Sequence, residues 1–388
     1  MGLKYGRKRW RCTFELLNAD KTMEPEPHKQ PIRFYEIDLI RFLAALSVVI
    51  YHYTFRGYAE GHYSPIAFPE LAPVTRYGYL GVELFFIISG YVVLLSAQGK
   101  TVRQFFLSRI TRLYPAFWIA CTLTFLVKLL WGTSTIDIGL MSPSLHASPL
   151  QYVVNMTMLP EFLHIEVMDG AYWSLTVEIT FYLFIAILIG FDLLKHLTLV
   201  LAVWLAYTAL PGAVREGGGL FTALLFPAYA PYFAAGMLLY LMQKPEGRTW
   251  QRYVLLLASY LLGLRASIGR VGGLVLLYHE YFSPKVVAAI ITSFYVIMYL
   301  VAFRKIDLSR FSWLAWLGAL TYPLYLLHSD IGFLVFHRME HFTNKYVLVG
   351  STFILMLSAA YFMHRFFEKR ISKLLGKQAN RLLNALSA

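Results

Sequence analysis

The sequence predicts an all-α fold: a polytopic integral-membrane helix bundle of about ten transmembrane helices, with both termini cytoplasmic. Three observations carry that prediction. Hydrophobic residues make up 58% and charged residues only 15% of the 388 residues, and mean hydropathy is +0.55, whereas a soluble domain carries about 25% charged residues. Ten apolar stretches approach the roughly 20 residues that span a bilayer. Lys and Arg are distributed asymmetrically between alternate loops, 25 on one side and 8 on the other, as the positive-inside rule requires for two cytoplasmic ends.

The stretches run over 37–56, 78–97, 112–131, 172–191, 197–211, 221–242, 252–265, 286–303, 313–335 and 346–365. The fifth and seventh are short, as tilted or re-entrant segments would be. Residues 1–33 are basic and lead through the Pro-rich PEPHKQP (25–31) into the first helix. They read as a flexible cytoplasmic arm. No apolar run follows the early basic residues soon enough for a cleavable signal peptide. A transmembrane domain over 34–370 and a basic cytoplasmic tail over 371–388 complete the division. The loop 132–171 is long and has no Lys or Arg. Cys12 falls in the cytoplasmic arm and Cys121 in the third helix, so no disulfide is expected. The net charge of +13 is spread over many short loops. It is a topology signal and a poor basis for nucleic-acid binding. No metal-ligand spacing, Walker sequence or dinucleotide fingerprint occurs.

Polar residues within the spans mark a site, because ionisable groups in hydrocarbon are costly. In RFLAALSVVIYH, Arg41 and His52 are eleven residues apart, which is about three turns and 16–17 Å on one helical face. Glu83, Glu178 and His328 fall at nearly the depth of His52 when counted from their helix ends, in the outer half of the membrane. At the opposite surface lie Asp38 and Arg41, together with Arg109 and Arg112 in SRITRLYP (108–115). These last two share a face at i, i+3, at a predicted helix N-terminus that favours anions. The pattern is two-tiered, with a cationic mouth at the cytoplasmic side and a His/Glu cluster deeper. A ligand with an anionic head and a long reactive arm fits it, and acyl-CoA is such a ligand. Imidazole and carboxylate at one depth suit acyl transfer. Plainer readings exist for each residue. The arginines can be snorkelling anchors, the histidines core residues bonded to carbonyls, and Glu83 a group within reach of water. Trp131 and Trp173 fit an interfacial belt.

At these residues the chain resembles the membrane-bound acyltransferase family 3, which includes O-acetyltransferases of O-antigen, exopolysaccharide, Nod factor and peptidoglycan. The resemblance covers about residues 35–370. YEIDLIRFLAALSVVIYHY matches the family's first helix, with its R-x10-H pair as Arg41 and His52, and Asp38 before it. GVELFFIISGYVV (81–93), SRITRLYPAFW (108–118), YWSLTVEITFYLF (172–184) and YPLYLLH (322–328) are similar to its later elements, in order. FFEKRI (366–371) resembles the closing acidic element without its usual Pro. The chain lacks the C-terminal hydrolase-like domain fused to some members, which favours a single-component glycan acyltransferase.

The resemblance implies transfer of an acyl group, acetyl in the first place, from cytoplasmic acyl-CoA to a hydroxyl of a cell-surface polysaccharide or its lipid-linked precursor. The location implied is the inner (cytoplasmic) membrane, and no metal is required. Arg109 and Arg112 would hold the CoA phosphates, with Asp38 beside them, and Arg41 would guide the pantetheine arm or hold the donor carbonyl. His52 would be the general base or a transient acyl carrier. Glu178, with Glu83 or His328, would orient His52 and bind acceptor hydroxyls. Two alternatives stay open: the same chemistry on a small hydroxylated metabolite or glycolipid, and a proton-coupled transporter. Oligomeric state is left open.

Overall fold

The computed structural model describes residues 34–61, 63–133, 141–213 and 219–385. The basic arm, 1–33, and Cys12 within it lie outside the described residues. The described chain is helical, with no β-strand. Eight helices are long and apolar enough to cross a membrane, nine if one bent pair counts as a span. The fifth predicted stretch forms a shorter apolar helix. The protein is thus a polytopic helical membrane protein, with the expected elements in the expected order.

The helices are α1 (Tyr35–Ala59), α2 (Gly81–Ala97), α3 (Val102–Trp131), α4 (Trp173–Gly190), α5 (Leu197–Ala209), α6 (Ala230–Met242) and α7 (Trp250–Tyr278, with a joint at Arg270). They continue with α8 (Pro284–Ala302), α9 (Leu314–Leu327), α10 (Ser329–Met339), α11 (Lys345–Phe362) and α12 (Lys369–Ala385). The core is α1 and α2 with α6 and α9 against them. Helix α6 is buried nearly all round, as an apolar helix without a polar face must be. Its crossing with α2 is the tightest, because two glycines meet there. A Cβ on Gly90 would strike the backbone of Phe233, and one on Gly236 would strike Ile87 O and Tyr91 N. In a membrane, where lipid is as apolar as the side chains, such close backbone approach supplies the packing energy.

Three expectations are corrected. Helix α3 starts at Val102, not near 112. Thr101 caps it, accepting Gln104 N–H while Gln104 returns a bond to Thr101 N–H. That capping box satisfies the terminal amides, so Arg109 and Arg112 stand inside the helix and form no N-terminal anion site. Helix α7 runs on to Tyr278, which carries Arg265 and Arg270 out of the predicted loop and into the helix.

The third correction concerns the stretch 313–335, which breaks at His328 into α9 and α10 with a 62° bend. Side chains take over the local helical ladder. Tyr53 OH donates to His328 O at 2.8 Å, Tyr172 OH to Leu326 O at 3.1 Å, and His328 Nδ1 to Tyr325 O at 2.8 Å. Asp330 N–H turns to Asp169 Oδ2 at 2.9 Å. Groups inserted into the i→i−4 ladder kink a helix in this way. Helix α1 has a matching irregularity, a π-helical turn over His52–Arg56, a feature frequent at functional sites.

Candidate active site

The two irregular turns meet. His52, in the π turn of α1, and His328, at the α9–α10 break, stack with ring centroids 4.8 Å apart. His328 Nε2 and His52 Nδ1 are 3.0 Å apart. The hydrogen bonds fix the proton positions. His328 Nδ1 faces a carbonyl, which can only accept, so that nitrogen carries a proton. In a neutral ring its Nε2 then accepts, and His52 Nδ1–H donates to it. The consequence is that His52 Nε2 bears a lone pair. Its neighbour agrees: Arg56 Nη1, which can only donate, lies 3.4 Å away.

His52 Nε2 opens on a pocket of about 230 Å³ lined by Arg56, Glu60, Tyr79, Glu83, Arg270 and Tyr278 among others. Arg56 Nε donates to Glu60 Oε2 at 2.6 Å, and Tyr278 OH donates to the same oxygen at 3.2 Å. Glu83 pairs with Arg270, whose guanidinium also lies over the Tyr229 ring at 5.2 Å. Three buried polar atoms on the pocket wall have no partner: Glu83 Oε2, Tyr79 Oη and Arg270 Nε. Buried groups are otherwise almost always satisfied, so three unpartnered atoms on residues that line one pocket depart from the usual pattern.

A second pocket, about 50 Å³, holds Arg41, Ser89, Glu178, Tyr322 and Tyr325. The buried Arg41 Nε is unpartnered there. Glu178 Oε1 accepts Tyr182 OH at 2.5 Å and Ser89 Oγ at 3.3 Å. Arg109 lies 5.7 Å over the Tyr182 ring, and Arg112 is exposed. Val82 and Tyr325 line both pockets, so the Arg41 and His52 pockets are consecutive chambers. Tyr325 is fixed by hydrogen bonds to Ser174 Oγ at 2.7 Å and Ala171 O at 3.1 Å. A wider groove of about 990 Å³ between α4 and α7 adjoins the His52 pocket and shares Arg270, Leu274 and Leu277 with it.

The predicted residues are therefore divided between the chambers. His52, His328 and Glu83 gather at one, and Arg41 and Glu178 at the other. The ring nitrogen of His52 that a carboxylate would hold is occupied by His328, so Glu178 does not orient His52 in this structure. Asp38 packs at the α1–α9 crossing, where a Cβ on Gly318 would strike its carboxylate. Trp173 lines the His52 pocket.

Sequence reasoning passed over Arg56, Glu60, Arg270 and a buried ionic group behind His328. Lys128 Nζ, fully buried, lies 2.7 Å from Asp330 Oδ2 and 2.8 Å from Ser144 O. Asp330 Oδ1 accepts Gly170 N–H at 3.1 Å. Asp169 lies beside Asp330, and burial first, then that neighbouring carboxylate, pushes its carboxyl well above the usual range. The available signals were Asp330 two residues after His328, Lys128 inside a predicted span, and Arg56 one turn beyond His52.

Comparison with known proteins gives the family. A family model described as an acyltransferase domain matches residues 34–365. The chain belongs to the membrane-bound acyltransferase family 3. Relatives include a protein of Acidianus two-tailed virus provisionally named an acetyltransferase, 25% identical over 217 residues, 54% of this chain and 58% of that protein. A protein of Bacillus subtilis strain 168, provisionally named a peptidoglycan O-acetyltransferase, is 34% identical over 90 residues, 21% of this chain and 12% of its own length. The peptidoglycan O-acetyltransferase of Listeria monocytogenes is 32% identical over 90 residues with the same coverage. The chain thus spans somewhat over half of the viral relative and about an eighth of the bacterial ones. No solved structure matches.

Proposed function

We propose that this protein is a membrane O-acetyltransferase that moves acetyl from cytoplasmic acetyl-CoA to a hydroxyl of a cell-envelope glycan. The observation that carries the proposal is the lone pair on His52 Nε2, held by the His328 relay beside a pocket lined by polar side chains. The family and the provisional and established names of the relatives support the acyl group. The consecutive chambers support the donor path. An extended thioester arm entering past Arg41 and Tyr325 would bring its carbonyl to His52.

The acceptor hydroxyl oxygen attacks the thioester carbonyl carbon as His52 Nε2 takes the hydroxyl proton. The C–O bond forms, the C–S bond breaks, and the leaving thiolate takes the proton from His52. His328 holds the His52 ring through Nδ1–H while Nε2 exchanges that proton. Glu60 and Arg270 line this pocket and are part-exposed, and they offer partners for the other hydroxyls of a sugar, which favours a polyhydroxyl acceptor over a transported ion. The lipid bilayer is the protein's environment, and the Lys/Arg asymmetry supports a cytoplasmic face for the donor.

Alkaline release of acids from envelope glycans tests the proposal, with cells carrying wild-type protein compared with cells carrying His52→Ala. Ester-bound acetate present with wild type and absent with the variant is expected. Equal acetate in every glycan fraction, with both proteins at normal levels in the membrane, would move the acceptor to a small hydroxylated molecule.

A further inference from the structure

The His52 chamber holds an arginine that the acyl-transfer reading leaves without a task. Arg56 follows His52 at the other end of the π turn, so both side chains leave α1 on one side. Its guanidinium is held in one orientation. Nε and Nη2 face the two oxygens of Glu60, at 2.6 Å and 3.4 Å, a fork that matches carboxylate geometry. Glu60 is in turn held by Tyr278 OH at 3.2 Å, and that hydroxyl bonds Tyr51 OH at 2.6 Å. The Tyr63 ring lies 5.4 Å from the guanidinium carbon on a further side. With Nε and Nη2 committed, Nη1 is the end turned towards His52 Nε2, at 3.4 Å.

That contact is long for a hydrogen bond. The two atoms flank a point about 3 Å from each, where a reacting centre can sit between a base and an oxyanion donor. We infer that Arg56 is a catalytic residue of the acyl transfer, with Nη1 donating to the oxyanion of the tetrahedral intermediate, and that Glu60 is its positioning residue. The inference rests on the acyl-transfer reading above and adds a residue to it. As the hydroxyl oxygen bonds to the thioester carbon and its proton passes to His52 Nε2, the carbonyl electron pair moves onto oxygen. That oxygen lies beside Nη1. When the C–S bond breaks, the pair returns to the carbonyl and the thiolate takes the proton from His52. A guanidinium prepaid into position by Glu60 has no reorganisation to undergo as the charge appears, and such fixed donors are most effective away from bulk water.

The ion pair has a simpler alternative role, that of fixing the end of α1 to α7 through Tyr278. The test separates the two. Full-length protein in native envelope membranes is assayed for CoA release from acetyl-CoA, with His52→Ala as the reference for lost chemistry. Arg56→Ala is expected to lower kcat by about 100-fold or more, the effect typical of losing one oxyanion donor, with the KM for acetyl-CoA changed by less than about threefold. Added guanidinium is expected to restore part of kcat to Arg56→Ala and none to His52→Ala. Glu60→Gln is expected to fall between wild type and Arg56→Ala. If Arg56→Ala fails to fold because Glu60 loses its countercharge, the double variant Arg56→Ala with Glu60→Ala removes that charge and carries the same expectation for kcat. A folded Arg56 variant within about threefold of wild-type kcat, while His52→Ala is inactive, overturns the inference and leaves the acyl-transfer reading standing. A fully active His52→Ala overturns the reading beneath it.

Discussion

At the scale of single residues, the proposed function depends on which atom of His52 carries a lone pair, and His328 decides that in the structure. Replacing His52 with Ala is expected to lower acyl transfer by about 100- to 10,000-fold, the range for a general base, read as CoA release at constant protein level. His328→Gln keeps an acceptor near His52 Nδ1 but loses the fixed ring, and is expected to lower kcat less than His52→Ala does. Equal losses would assign both histidines the same direct role. The Lys128–Asp330 pair stands behind this relay and is nearly inaccessible to solvent. Removing one member leaves an uncompensated buried charge, which costs about 3–5 kcal/mol. Lys128→Met is therefore expected to lower the thermal unfolding midpoint in detergent sharply, and an unchanged midpoint would show that the pair is not needed for the fold. Arg41, His52, Glu83, Glu178 and His328 were legible in the sequence because ionisable groups stand out within apolar spans. Arg56 and Arg270 were not, because each falls at or beyond the end of a predicted span, where an arginine can reach water by snorkelling. Their roles come from partners distant in the chain, Tyr278 for the Arg56–Glu60 pair and Glu83 for Arg270.

At the scale of elements, the order of helices was readable from hydropathy, and the irregularities were not. Helix α7 was read short because Arg265 and Arg270 suggested a loop, whereas Arg265 is absorbed by carbonyls of Thr208 and Ala209 and Arg270 by Glu83. The break at His328 was invisible because three of the groups at it, Tyr53, Tyr172 and Asp169, are distant in the chain. The α2–α6 crossing makes its own prediction. Gly236→Val is expected to prevent accumulation of folded protein, since the added side chain has backbone where it needs space, and overpacking costs about 1–3 kcal/mol even where a core can adjust. Normal levels of monodisperse variant would contradict the crossing. A second element-level contact joins the loop after α1 to the start of α11. Glu70 accepts Tyr346 OH at 2.5 Å and Lys345 Nζ at 3.0 Å. The bond from Tyr346, then a bond to its own backbone and the one from Lys345, lower its carboxyl to about 2. A depressed carboxylate stabilises the fold at pH values above its unfolded pKa, and the stabilisation fades as pH falls towards the folded value. The difference in unfolding midpoint between wild type and Glu70→Gln is expected to be constant above about pH 5 and to shrink as pH falls towards about 2. A difference independent of pH would show that the charge of Glu70 is not involved.

At the scale of the whole molecule, the fold brings two distortions of regular helix to one place and opens two consecutive chambers beside them. The chambers explain why Arg41 and His52 share a face of α1 three turns apart: each serves a different chamber, and Val82 and Tyr325 stand between them. The orientation proposed for the membrane rests on charge. If, as the Lys/Arg asymmetry supports, both termini lie at the cytoplasmic face, Cys12 is expected to react with a membrane-impermeant maleimide in inside-out vesicles and to be protected in right-side-out ones, while the buried Cys121 stays unlabelled in both. The reverse pattern would invert the topology and place the Arg41 chamber on the wrong side for a cytoplasmic donor. The most direct test of the account is vectorial turnover. Purified protein is reconstituted into vesicles with an envelope glycan fraction, acetyl-CoA is supplied on the cytoplasmic side alone, and labelled acetate on the glycan is measured for wild type and His52→Ala. Label on the glycan that requires His52 and appears only with donor on that side is the predicted result; label independent of His52, or none on the glycan with intact wild-type protein, would contradict it.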